Sequence, residues 1–107
     1  MSKPLRVQVL ERARALIEDE RHWCRCELAR DAAGHSVGPT DGSAVKRCAL
    51  GALVAATCEV TNDPHLAHEL AMTALRPLVG ATSLTHINDV EGHSAVLTLF
   101  DLAISAR

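Results

Sequence analysis

The sequence predicts a mainly α-helical domain, a small four-helix bundle interrupted by a short hairpin or ordered loop between its first two helices. Three observations carry that expectation. Apolar residues make up 48% of the chain but aromatics only 2%, so Leu, Val, Ile and Ala must fill the core; such small side chains favour closely approaching helices over a thick sandwich. Several stretches repeat apolar residues every three to four positions, the helical period. A length of 107 residues suffices for a single hydrophobic core, so residues 1–107 are read as one domain.

The elements follow in order. Leu5, Val9, Ala13, Leu16 and Ile17 mark one face of a helix over about residues 3–20. Ser2 is its candidate cap and Pro4 stands in its first turn, while Arg14 and Glu18 are spaced to pair on the wet side. "CELARDAAGHSVGPTDG" then loses the helical period, and "RDAAGHSV" reads as two short arms around a turn with Gly34 in the left-handed position. Thr40 or Asp41 is placed to cap a second helix over about 41–57, with Val45, Cys48, Ala49, Ala52, Leu53 and Ala56 on its face. Gly51 in that helix costs about 1 kcal/mol in propensity and permits close contact.

Asp63 and Pro64 start a third helix, expected to stop near residue 76 because Pro77 discourages continuation and Gly80 can close the end. "SLTHIND" is either one helical turn or a connecting loop. Ser94 is then read as the cap of a last helix whose stripe is Val96, Leu97, Phe100, Ala103 and Ile104.

Charge narrows the function classes. Eleven Lys and Arg against thirteen Asp and Glu leave a formal net charge of -2, so the chain lacks a broad cationic surface for nucleic acid. The apolar run "CALGALVAATC" is about half the ~20 residues a bilayer requires, and "MSKPLRVQVLERARALIEDE" lacks a signal peptide's uninterrupted apolar segment. A cytoplasmic location is expected, with no membrane or nucleic-acid partner and the four cysteines as free thiols.

"ARDAAGHSV", "TDGSAV", "CALGALVAA", "IND" and "GHSAVLTLFDLAI" together resemble a family of short uncharacterised bacterial proteins, a domain of unknown function, over about residues 5–104. Trp23, Ala29 to Asp31, Gly34, Asp41, Cys48, Leu50 to Leu53, Asn88, Asp89, Gly92 and Asp101 fall on that pattern. Cys24, Cys26, Cys58, His65 and His68 do not, and Arg47 stands where the resembling sequences often carry Trp. The resemblance implies no activity, ligand or partner.

Three constellations are weighed against plain structural roles. His22, Cys24 and Cys26, with His65 and His68 elsewhere, are zinc-ligand types, but Cys24-x-Cys26 is tighter than the usual paired spacing. Cys48, His93 and Asp89 are the residue types of a thiol hydrolase: nucleophile, base and orienting acceptor. A helix beginning near Asp41 would bury Cys48 two turns inside an apolar face, where a thiol is normally a small hydrophobe. Trp23, Arg30, Asp31, Asn88, Asp89 and His93 form a candidate ligand or partner surface on predicted loops. The expectation is a non-catalytic protein-interaction or accessory module without a cofactor, binding a protein or a second copy of itself. A hydrolase using Cys48 and His93, or a structural zinc protein, is the alternative.

Overall fold

The computed structural model describes residues 3–63, 65–80 and 82–106. Helix α1, Leu5–Ile17, starts after Pro4 and buries Val9, Leu10, Ala13 and Ile17. It stops short of residue 20 because Asp19 turns the chain, its carboxylate accepting the Arg21 N–H at 2.9 Å and opening a 3-10 turn at Glu20–His22. Arg14 pairs with Glu18 at 2.8 Å, as its spacing predicts, and also with Asp101 near the other end of the sequence at 2.6 Å. The cap expected at Ser2 lies outside the described residues.

The excursion after α1 is a three-stranded antiparallel sheet: β1 (Ala29–Arg30), β2 (Ser36–Val37) and β3 (Lys46–Arg47), in the order β2-β1-β3. The β1–β2 arm is the expected hairpin. Asp31 Oδ1 accepts the N–H groups of Ala33 and His35 at 3.0 and 2.9 Å, and Gly34 takes φ +88°, which side-chain-bearing residues rarely adopt. β3 corrects the expected second helix. Asp41 caps a turn instead, accepting the Ser43 N–H at 2.8 Å, and the Val45 N–H then donates to the Arg30 carbonyl at 2.9 Å. Pro39, Asp41 and Gly42 favour a turn, β-branched Val45 favours an extended chain, and pairing with β1 completes what local helix propensity would otherwise decide.

Helix α2 therefore begins only at Ala49 and runs Ala49–Thr61, ending at Asn62 in the left-handed conformation, φ +56°. Ala49, Ala52, Leu53 and Ala56 are fully buried, and this small-residue face packs against α1 within the chain. It is not left open for a second copy.

Asp63 caps α3, His65–Leu70, accepting the His65 N–H at 3.1 Å; Pro64 lies outside the described residues. The helical path does not stop before Pro77, as the sequence predicts, but continues through a π-helical segment, Ala71–Leu75, into α4, Arg76–Val79. Proline lacks an N–H and its ring collides with the carbonyl four residues back in an α-helix. A π turn, in which the Arg76 N–H donates to the Ala71 carbonyl, shifts the register just ahead of the ring. Gly80 closes the path at φ +65°.

"SLTHIND" is helical: α5, Leu84–His86, capped by the Ser83 hydroxyl, continues into a second π segment, Ile87–Glu91. Gly92, rather than Ser94, precedes the last helix α6, His93–Ser105, because φ +100° at Gly92 makes the sharp re-entry. Val96, Leu99, Phe100 and Ala103 join the α1 and α2 faces with Leu70, Leu75, Val79 and Ile87 in one core. The Arg6 guanidinium donates to the Ala103 and Ala106 carbonyls at 3.0 and 3.1 Å and closes the end of α6. The architecture is thus mainly helical with a small antiparallel sheet, its later helices interrupted by π turns, rather than four uninterrupted rods. Among the described residues no helix is long and apolar enough to cross a membrane.

Candidate functional site

Three segments distant in sequence converge where the chain leaves α1: residues 23–28, the start of α2, and residues 85–93. The Cys24 N–H donates to the Arg47 carbonyl and the Cys48 N–H to the Leu28 carbonyl, both at 3.1 Å, which sews the first segment to the second. Gly51 lies directly under Leu28, so closely that any side chain there would occupy the place of the Leu28 carbonyl.

Asn88 joins all three. Only 1% exposed, it uses its amide completely. Oδ1 accepts the Trp23 indole N–H at 2.7 Å and the Ala49 N–H at 2.9 Å; Nδ2 donates to the Cys24 carbonyl at 3.1 Å and to Asp89 Oδ1 at 2.9 Å. The same Asp89 oxygen accepts the Cys26 N–H at 2.9 Å, holding Cys26 at φ +67°, a conformation that costs a residue with a side chain about 1 kcal/mol or more. Trp23 is covered by the Arg25 guanidinium, 4.9 Å from the ring centre, and by the His93 ring at 5.4 Å. His93 closes α1: its Nε2, necessarily the protonated nitrogen since a carbonyl only accepts, lies 2.6 Å from the Ile17 oxygen, and Nδ1 is 3.8 Å from Glu20. Among the described residues, no buried side-chain nitrogen or oxygen lacks a hydrogen-bond partner.

Beside this junction lies a cavity of about 200 Å³ lined by Cys26, Glu27, Leu28, Cys48, Leu50, Thr85, Asn88 and Asp89. Cys48 is the N-cap of α2, not a residue two turns inside it, and its sulfur accepts the Gly51 N–H at 3.3 Å. Helix N-termini usually acidify a thiol. Here burial dominates and pushes the Cys48 thiol up, outweighing the amide hydrogen bonds that favour the thiolate. Cys24 is pushed up to about 11, by burial first and then by its neighbour Cys48.

The hydrolase candidates are divided by this geometry. Cys48 and Asp89 share the cavity, whereas His93 is absent from its walls and is engaged with Ile17, Glu20 and Trp23. The zinc candidates separate as well. Cys24 is buried with its thiol near the Glu27 carbonyl at 3.5 Å, Cys26 is exposed, and His65 and His68 stand on α3; among the described residues no three His, Cys, Asp or Glu side chains converge as a metal site. Of the candidate partner residues, Trp23 and Asn88 are buried and His93 nearly so, since their polar groups hold the junction together. Arg30 bonds the Gly34 carbonyl across the hairpin at 2.9 Å and Asp31 builds its turn, leaving Asn88 and Asp89 as the two at the cavity.

A raised thiol pKa has a stability consequence. Folded Cys24 holds its proton up to about pH 11, whereas an unfolded thiol loses it near 8.5. The folded state thus binds the proton more tightly, and the stability this contributes is complete below about pH 8.5 and lost as pH rises through 11. The urea midpoint is expected to be flat from pH 7 to about 8.5 and to fall between about 9 and 11. Cys24→Ala should reduce that fall, leaving the part that the raised Cys48 thiol contributes, and an unchanged fall in the variant would assign it elsewhere.

No curated protein and no solved structure matches this chain. A family model does, over residues 1–106, and the protein accordingly belongs to the family of unknown function DUF6197.

Proposed function

We propose that the protein is a non-catalytic protein-interaction module of the cytoplasm, in which the Asn88 junction keeps a docking face in shape. The observation that supports this reading is the complete internal use of the Asn88 amide on Trp23, Ala49, Cys24 and Asp89, which makes the conspicuous polar residues struts rather than reagents. Around them, Leu28 at the cavity and Val90 beside Asp89 are exposed at 43% and 65%, large apolar side chains open to a partner. Four free thiols suit a reducing compartment. The first partner to test is a second copy of the chain.

Light scattering from about 1 to 500 μM is expected to show mass rising from monomer towards dimer, with Val90→Asp remaining monomeric. A strict monomer at every concentration removes self-association. The hydrolase reading keeps one favourable observation, Cys48 at a helix N-cap beside Asp89. Iodoacetamide at pH 7 is expected to modify exposed Cys26 in the folded protein and Cys48 only after denaturation. Rapid labelling of native Cys48 would overturn the non-catalytic reading.

A further inference from the structure

A second groove lies on the far part of the helical path, between the Ala71–Leu75 π segment with α4 on one side and α5 on the other, and Leu50 forms part of its lining. Its volume of about 400 Å³ is twice that of the cavity beside Cys48 and falls within the range of small-molecule sites, about 300–1,000 Å³. Leu50, Ala71, Met72, Val79 and Leu84 give it apolar walls. Its ionisable lining residues are His68 and Arg76, and no carboxylate is among them. The Arg76 guanidinium rests 3.8 Å from the Met72 sulfur, and among the described residues it makes no ion pair with an acid.

These features select a ligand class. A guanidinium beside an apolar trough is complementary to a planar anion that accepts two parallel N–H bonds, above all a carboxylate. Met72 is an adaptable, polarizable wall suited to an alkyl chain of variable fit. Apart from Thr82 and Ser83 the walls are helical and no strand borders the groove, so an extended peptide would find no sheet edge to pair with. We propose that this groove binds a single-chain carboxylate amphiphile of the fatty-acid class, its tail on Leu50, Met72 and Leu84 and its head group on Arg76. The groove borders the Cys48 cavity through Leu50, which lines both, but it uses none of the Asn88 hydrogen bonds and does not depend on self-association.

Calorimetric titration of the full chain with dodecanoate, dodecanol and dodecyltrimethylammonium, each below its micellar concentration, tests this directly. Dodecanoate is expected to bind at least tenfold more tightly than either of the others. Arg76→Gln should erase that preference, Arg76→Lys should leave it weakened because an ammonium cannot make the two parallel bonds, and Met72→Asp should abolish binding of dodecanoate and dodecanol, with circular dichroism confirming that each variant is folded. Equal affinity for dodecanoate and dodecanol, a preference that survives Arg76→Gln, or no binding of any probe up to about 1 mM would overturn the proposal.

Discussion

Asn88→Ala is expected to lower the stability of the protein by about 4 kcal/mol and its melting temperature by about 20 °C. Truncation strands three groups at once: the Trp23 indole N–H, the Ala49 N–H and the Cys24 carbonyl. Each buried group left without a partner costs about 1–3 kcal/mol, and Asn88 is only 1% exposed. Asn88→Asp is the informative companion. It keeps the oxygen that Trp23 and Ala49 use but turns the donor into an acceptor facing the Cys24 carbonyl and the Asp89 carboxylate. It should therefore recover little of the loss. Urea unfolding of the three proteins measures this, and a loss below about 1 kcal/mol in Asn88→Ala would show that the junction relaxes around the gap.

Gly51→Ala should reverse the sign usual for its place in a helix. In an exposed helix interior the change stabilises by up to about 1 kcal/mol. Here an added Cβ lands on backbone, the Leu28 carbonyl, which itself accepts the Cys48 N–H at the helix start. Backbone cannot swing aside as a side-chain end does, so the 23–28 segment must lift off α2 as a unit, at an expected loss of about 3 kcal/mol. Gly38→Ala and Gly42→Ala, where an added Cβ meets nothing within 4 Å, serve as near-neutral controls in the same denaturation series. A stabilised Gly51→Ala would sink the close-approach argument.

Both sites show where sequence reasoning reaches and where it stops. Periodicity located α1 and α6, and local turn chemistry located the Asp31–Gly34 hairpin, the Asp63 cap and the Gly80 stop, because each depends on neighbours within one or two turns. β3 escaped because a two-residue strand has no period to detect, and its existence depends on a partner strand some way back. Missing it misplaced the start of α2, and with it Cys48. The π segments escaped because the widened register answers Pro77 and Gly92 together with tertiary packing, not a local signature. Asn88 looked like any loop asparagine. The only trace of its role was the expectation, from resemblance, that set Trp23, Cys48, Gly51, Asn88, Asp89 and Gly92 apart; far from one another in sequence, they are gathered by the structure around one junction.

The junction is also an optical instrument. Trp23 is the only tryptophan in the chain, and its indole N–H is bound to a side chain 65 residues away. Its fluorescence therefore reports closure of that long-range contact, while far-ultraviolet circular dichroism reports the helices. Contacts distant in sequence carry the larger loop-closure entropy and tend to form late. In refolding from urea, ellipticity should recover ahead of the tryptophan signal, so that a single intrinsic ring times the last stitch of the fold against the formation of the helices it joins.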